Sequence, residues 1–126
     1  MKNNFFKLTE YLYYLSLAVL FILYLFPGSL IGYFLYGNLG QQPNIIGNPI
    51  GTSINHLFFF LYLSTLGLTF RLRNKKLINS FQFLFCISIL LELLHLIIPH
   101  RAFEYYDLLA NLLGVLLVVI IKKLIK

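Results

Sequence analysis

The sequence has few charged residues. They make up 11% of its 126 residues, and only 4 of them are acidic. A soluble domain has about 25% charged residues, which keep its surface hydrated. Hydrophobic residues make up 60% of the chain, more than a short chain can bury from water. This composition excludes an ordinary water-soluble domain and predicts a membrane protein, because apolar side chains in a bilayer face outward as well as inward.

Cysteine is also scarce, since Cys86 is the only one. A single cysteine cannot form an internal disulfide, so the sequence predicts a fold without such cross-links. Cys86 lies in an apolar run, where a cysteine behaves as a small hydrophobic side chain. We therefore expect no special chemistry from Cys86.

Four apolar segments predict an all-α protein, a four-helix transmembrane bundle that forms a single domain over residues 1–126. Their approximate bounds are 8–26, 55–70, 77–98 and 105–121. Each is near the ~17–25 residues that a helix needs to cross a bilayer. Pro27 with Gly28 ends the first segment, and Pro99 ends the third. Between the first two, residues 28–54 carry no charge, and their apolar part, 30–36, is expected at the membrane interface or re-entering the membrane.

The basic residues predict the orientation of the chain. With both termini in the cytoplasm, every lysine and arginine except Arg101 lies on the cytoplasmic side. The positive-inside rule favours this topology. The sequence thus predicts a multi-pass membrane protein. The net charge of +6 could suggest a nucleic-acid partner, but loop clusters between apolar runs argue against one.

Several polar residues interrupt the apolar segments near the ends that are predicted to face outward. A charged residue at the bilayer centre costs roughly 2.5–3.5 kcal/mol on insertion scales, so such residues need partners or a function. We expect six of them, from three helices, to converge in the outer leaflet as a candidate ligand-binding site: His56, Glu92, His95, Arg101, Asp107 and Asn111.

Helical spacing supports this grouping. Glu92 and His95 are three residues apart and share one helix face, and Asp107, Asn111 and Gly114 form one stripe on the next helix. At 1.5 Å per residue, Glu92 and Asn111 lie at similar depths, ~10 Å and ~9 Å below the outer surface. A purely structural interpretation is also open. In it Arg101 pairs with a carboxylate to pin the hairpin, Asn111 bonds between helices, and Gly114 permits close packing.

The segment from Glu92 to Gly114 resembles a known signature. It reads Glu-x-x-His, then Pro-His-Arg, then Asp-x-x-x-Asn-x-x-Gly. This is similar to the C-terminal signature of VanZ-like membrane proteins, which often have Gln at the place of His95. Residues 53–60 resemble more weakly the family's Asp-Lys-x-x-His-Phe start of the second helix, with Ile54 and Asn55 in place of Asp-Lys. The resemblance covers about residues 53–121.

The resemblance implies a short four-helix membrane protein, but no settled reaction. The family is named for a protein that confers low-level resistance to teicoplanin, a glycopeptide antibiotic that acts on the outer face of the cell. We therefore expect the polar residues to bind or modify an envelope lipid, a lipid-linked intermediate or a glycopeptide, alone or beside a larger envelope enzyme. An intramembrane acid–base enzyme acting on a lipid, and a small proton-linked transporter, are the alternatives.

The sequence contains no recognisable catalytic or metal motif. Cys86 lies about 240° around its helix from Glu92, so the two do not form a nucleophile–base pair. A metal site from His56, Glu92, His95 and Asp107 is chemically allowed. Glu-x-x-His alone is a weak signal, however, and the stronger His-Glu-x-x-His pattern is not in the sequence. The sequence therefore predicts no cofactor and no metal, and leaves catalysis open.

Overall fold

The computed structural model describes residues 1–43, 47 and 51–125. These residues form helices and no strand, as the sequence predicts. The α-helices are Lys2–Leu25 (α1), Leu30–Tyr36 (α2), Ser53–Arg73 (α3), Phe81–Leu94 (α4) and Tyr105–Ile125 (α5). A 3₁₀ turn, Leu77–Asn79, precedes α4. Three helices, α1, α3 and α5, are long and apolar enough to cross a membrane.

The largest difference from the predicted bounds is in α4. The expected helix 77–98 contains an α-helix of only 14 residues, about 21 Å long at 1.5 Å per residue. Ser80 starts it by accepting a hydrogen bond from the Phe83 N–H, and its C-terminal end continues as turns. The apolar segment 77–98 thus contains turns at both ends, and the α-helix inside it is shorter than the ~30 Å hydrocarbon core.

The other three helices are longer than the apolar segments predict. The first begins at Lys2 instead of residue 8, the second predicted helix extends from 55–70 to Ser53–Arg73, and the last continues past residue 121 to Ile125. Helical hydrogen bonding does not require apolar side chains, so hydropathy marks the apolar part of a helix and misses its polar ends.

The break after α1 follows the sequence signals. Phe26 is extended, with φ −70° and ψ 134°, the region that a following proline favours. Gly28 has φ +97°, a conformation that costs little only for glycine. The next residue, Ser29, caps α2 by accepting a hydrogen bond from the Gly32 N–H at 3.0 Å. The predicted apolar segment 30–36 is thus a short helix, and it exposes Tyr33 and Phe34.

The long helices alternate in direction. Ser16 of α1 contacts Tyr62 of α3, whereas Tyr24, later in α1, contacts His56, earlier in α3. These two helices are therefore antiparallel. Hydrogen bonds from Asn111 to Ser88 and from the Glu104 N–H to Glu92 make α4 and α5 antiparallel in the same way.

Helices α3 and α5 run parallel and lie close together. Ser53 meets Asp107 near the start of both helices, and Gly114 lies against Phe60 about two turns further on. A Cβ atom at Gly114 would lie 2.7 Å from the Leu57 carbonyl oxygen and 2.8 Å from the Phe60 Cβ. Only glycine allows this approach, which places the start of α5 against His56.

These directions give the bundle two different ends. The polar end is where α1 and α4 finish and α3 and α5 begin. The basic end is the opposite one, and it carries Arg71, Lys76 and Lys122. Between them lies a core of buried apolar and aromatic side chains: Tyr13, Leu17, Leu20, Tyr24, Phe60, Leu63, Phe70, Leu84, Ile87, Leu91 and Val115.

Candidate functional site

Five of the six predicted site residues lie together at the polar end, where His56 is half-buried and the other four are buried. They come from α3, from α4 with the turn after it, and from α5: His56, Glu92, His95, Asp107 and Asn111. Glu92 and Asn111 are 0% exposed, although both are strongly polar. Burial of such groups is costly unless their hydrogen bonds are satisfied, so their partners determine what the cluster can do.

Tyr24 is the central residue of this cluster, and the sequence analysis missed it. Its hydroxyl lies 2.7 Å from His56 Nδ1 and donates to Asn111 Oδ1 at 2.9 Å. Its ring stacks on His95, with centroids 5.5 Å apart. The available signal was a phenol three residues before Pro27, at the same end of the bundle as the predicted site. Helix α1 therefore contributes directly to the cluster.

The hydrogen bonds of His56 fix its tautomer. Asn111 Nδ2 donates to the Ser88 carbonyl, so its Oδ1 faces Tyr24 and His56 as an acceptor. Tyr24 gives its one proton to that oxygen, and His56 Nδ1 must then donate to the Tyr24 oxygen. This arrangement satisfies all three groups. Neutral His56 accordingly presents the lone pair of its other nitrogen, Nε2, which lies 3.5 Å from Asp107 Oδ2.

Asp107 is held by Ser53, a second residue that the sequence analysis did not single out. The Ser53 hydroxyl donates to Asp107 Oδ1 at 2.5 Å. The other carboxylate oxygen, Oδ2, faces His56. Both Ser53 and Asp107 are buried, and the parallel packing of α3 and α5 aligns them. The signal in the sequence was the position of Ser53, three residues before His56 and therefore on the same helix face.

Glu92 has one satisfied oxygen and one that is not. Its Oε1 accepts from the Glu104 N–H at 3.2 Å and lies 3.3 Å from His95 Nδ1. His95 Nε2 must carry a proton, because it bonds a carbonyl oxygen, that of Tyr24, at 3.0 Å. His95 Nδ1 faces Glu92 Oε1, so the two side chains form a buried imidazole–carboxylate pair. Glu92 Oε2 is buried and has no hydrogen-bond partner among the described residues.

Three potential metal ligands meet in this cluster. His56, Glu92 and Asp107 each offer one donor atom, and these atoms lie within 4.8 Å of one another. One imidazole nitrogen with two carboxylate oxygens is a donor set that zinc accepts in proteins. All three residues are predicted site residues, but the sequence predicts no metal site, because residues from three separate helices leave no motif.

Arg101 lies at the rim of the cluster and has other partners than those expected. Its Nε donates to the Phe26 carbonyl at 3.1 Å, and its Nη2 donates to the Leu23 carbonyl. Within the described residues it makes no ion pair with Glu92 or Asp107, so it does not pin the hairpin through a carboxylate. Burial lowers the pKa of the Arg101 guanidinium. Arg101 ties the end of α1, and with it Tyr24, to the hairpin.

The chain matches no family model, and comparison with curated proteins and with solved structures gives no match either. The resemblance to VanZ-like proteins therefore stays a prediction from the segment Glu92–Gly114 and the start of α3. The membrane character rests on α1, α3 and α5, whose length and composition are sufficient to cross a bilayer.

A polar pocket of about 250 Å³ opens beside the buried cluster. Its lining includes Gln42, His95, Arg101, Glu104 and Asp107. Burial raises the pKa of the Glu104 carboxyl, and the nearby carboxylates of Asp107 and Glu92 raise it further. Glu104 therefore takes up a proton at a higher pH than an ordinary glutamate, which reduces the negative charge of the pocket as the pH falls.

Apolar space adjoins this polar pocket. Arg101 and Gln42 also border an inner pocket of about 100 Å³, which reaches Tyr24, His56 and Phe59. Phe59 in turn borders an apolar groove of about 400 Å³ beside α3, lined by Ile31, Pro43, Asn55, Phe58, Phe59 and Tyr62. Polar and apolar cavities thus follow one another along the polar end.

Proposed function

We propose that this chain is a VanZ-like, multi-pass protein of the bacterial cytoplasmic membrane that binds an anionic envelope lipid or lipid-linked intermediate at its polar end. The observation that carries the proposal is the series of cavities, polar at Arg101 and apolar at Phe58 and Phe59. A molecule with a charged head group and an acyl or prenyl chain has the same two-part chemistry.

The proposed topology has both termini in the cytoplasm and the polar end in the outer leaflet. This topology requires an even number of membrane crossings. The helices α1, α3 and α5 supply three, so the segment 77–98 must also cross the membrane. The alternating helix directions support this, since α1 and α4 point toward the polar end and α3 and α5 point away from it. Turns on either side of α4 lengthen the segment beyond its 14 α-helical residues. Exposed basic residues at the opposite end then follow the positive-inside rule.

Arg101 is the residue that favours an anionic head group. A guanidinium has five N–H donors, and the bonds to Phe26 and Leu23 use two of them. The other donors have no hydrogen-bond partner within the described part of the chain, and they suit a phosphate or carboxylate, which arginine binds with charge-assisted hydrogen bonds. Because Arg101 borders both the polar and the inner pocket, a head group held there leaves its chain directed to the apolar groove.

An acid–base enzyme acting on the same lipid is the second candidate. The observation that favours it is the 3.3 Å contact between Glu92 Oε1 and His95 Nδ1. Both residues are buried, and His95 lines the polar pocket. A positioned imidazole beside a carboxylate is a common general acid–base arrangement. The enzyme is distinguished from a binding protein by product formation from the bound lipid, which Glu92→Gln abolishes while the lipid is still bound.

The test is the lipid content of the full chain purified in a mild detergent, measured by mass spectrometry. We expect the wild-type protein to retain one class of anionic lipid. Arg101→Gln should retain about tenfold less or lower still, since a hydrogen bond to a charged group contributes about 1.5–3 kcal/mol. Arg73→Gln, an exposed arginine at the basic end, is the matched control and should retain the wild-type amount.

A second variant separates binding from folding, because Arg101 also holds the end of α1. Phe58 lines the apolar groove and its side chain is 56% exposed, so Phe58→Ser leaves the core unchanged. We expect it to lower lipid retention while the elution volume and helical circular dichroism stay as in the wild type. Equal lipid profiles in the wild-type protein and in both pocket variants would contradict the proposal.

A further inference from the structure

We infer that His56, Glu92 and Asp107 form a binding site for one divalent transition-metal ion of the zinc class. This inference stands on the geometry of the buried cluster and does not depend on the proposed lipid. The donor atoms of the three residues lie within 4.8 Å of one another. In a tetrahedral zinc site with bonds of ~2.0–2.1 Å, neighbouring ligand atoms are about 3.4 Å apart, so the cluster needs only a small contraction.

Each of the three side chains is anchored through the atom that the metal does not need. His56 donates its Nδ1 proton to Tyr24, and Asp107 Oδ1 accepts from Ser53. Metal-binding histidines almost always donate their second ring N–H in this way, which fixes the tautomer and the ring orientation. The remaining atoms, His56 Nε2 and Asp107 Oδ2, face each other at 3.5 Å.

Glu92 also has one oxygen held by hydrogen bonds and one oxygen left for the metal. Its Oε1 is held by the Glu104 N–H and His95, while its buried Oε2 has no partner among the described residues. A fully buried carboxylate oxygen without a hydrogen bond is costly in a membrane protein. A divalent cation at this point supplies the missing partner and neutralises the charge of Glu92 and Asp107 together.

The other side chains near the cluster neither neutralise Glu92 Oε2 nor offer a further metal ligand. Arg101 is engaged with the end of α1. His95 uses Nε2 for the Tyr24 carbonyl and Nδ1 for Glu92, so it positions Glu92 and is not a ligand. Cys86 is exposed, which leaves the cluster without a thiolate. One nitrogen and two oxygens suit Zn²⁺ better than Ca²⁺, which takes 6–8 oxygen ligands.

A fourth ligand position is required for a tetrahedral ion, and a water molecule can fill it. Catalytic zinc sites have three protein ligands and one open position. Asp107 belongs to the cluster and also lines the polar pocket, so the site lies next to that pocket. The arrangement is that of an accessible metal site, in contrast to a closed structural one.

The test is metal binding by the full chain, purified in detergent with a tag that contains no histidine. After incubation with Zn²⁺ and removal of free metal, elemental analysis should find about one zinc ion per wild-type chain. Replacement by Co²⁺ should give the visible absorption of a four- or five-coordinate ion. Glu92→Gln and Asp107→Asn, which keep side-chain size, should lose both signals. Glu10→Gln, which makes the same change at a carboxylate of the opposite, basic end, should keep both.

Tyr24→Phe is the sharper variant, because it removes only the hydroxyl that orients His56. Loss of the hydrogen-bond partner of a metal-binding histidine typically lowers metal affinity 10–100-fold, and a Co²⁺ titration of the variant should show a shift of that size. If the wild-type chain binds no stoichiometric Zn²⁺ or Co²⁺, or if Glu92→Gln binds as well as the wild type, the inference is wrong. The contact of His56 with Asp107 is then an ordinary imidazolium–carboxylate pair.

Discussion

The two ends of the bundle both carry charged residues, but these residues are exposed at the basic end and buried at the polar end. At the basic end, the pair Lys76–Glu10 is separated by 3.9 Å, and the side chains are 43% and 28% exposed. At the polar end, Glu92 and His95 are 3.3 Å apart and are 0% and 3% exposed. Water surrounds the first pair, whereas protein surrounds the second.

This contrast separates charges that set topology from charges that form a site. An exposed pair contributes little to stability, because water and salt screen it. A buried pair exists only where hydrogen bonds and partners compensate for lost hydration, and the polar end provides them through Tyr24, Ser53 and the Glu104 N–H. Buried ionisable groups in membrane segments generally mark functional positions.

The largest expected effect is in the accessibility of the two ends to an impermeant thiol reagent. In a Cys86→Ser background, Tyr105→Cys at the polar end should react in intact cells. Lys75→Cys at the basic end should react only after the membrane is permeabilised. The reason is the proposed topology, with the polar end outside, and both positions are exposed. Reaction of Lys75→Cys in intact cells would invert the proposed orientation.

Loss of one member of each ion pair should affect stability very differently. His95→Ala leaves Glu92 buried without its partner, which typically costs about 3–5 kcal/mol. Lys76→Ala breaks the exposed pair and should cost at most about 1 kcal/mol. Reversible unfolding by denaturant in detergent measures both. Equal losses would show that the two pairs are solvated to the same extent, which would remove the contrast between the ends.

The smallest effect compares two glycines, one in each half of the bundle. Gly114→Ala places a Cβ 2.7 Å from the backbone of α3, and overpacking of this kind costs about 1–3 kcal/mol. At Gly67 the nearest atom is in the Tyr13 ring, at 3.0 Å. A side chain moves more easily than a backbone, and alanine favours the helix by about 1 kcal/mol. We expect Gly67→Ala to be close to neutral in the same unfolding measurement.

A Co²⁺ titration of the two glycine variants tests whether the packing of α3 against α5 also holds the His56–Asp107 contact. If Gly114 keeps α5 against α3, then Gly114→Ala should also weaken Co²⁺ binding, because Asp107 moves away from His56. Gly67→Ala should leave the Co²⁺ titration unchanged. A Gly114→Ala variant that binds Co²⁺ as the wild type does would show that the cluster tolerates a wider separation of the two helices.

Much of the fold could be predicted because its causes are local. Apolar composition predicted the long helices, and Pro27 with Gly28 predicted the break after α1. The length of α4 could not be predicted in this way. Asn79 and Ser80 form turns with their own backbone neighbours, and these bonds replace part of the apolar run by a 3₁₀ turn that hydropathy does not detect.

The candidate site was likewise predicted only in its local part. Sequence spacing alone placed Glu92 with His95, and Asp107 with Asn111, because helical periodicity fixes which residues share a face. It could not fix how each helix is rotated against its neighbours. Only the tertiary structure brought Tyr24 between His56 and Asn111, gave Arg101 to the carbonyls of α1, and left one atom each of His56, Glu92 and Asp107 close together. Those contacts join residues on different helices, and their geometry depends on packing that no single segment determines.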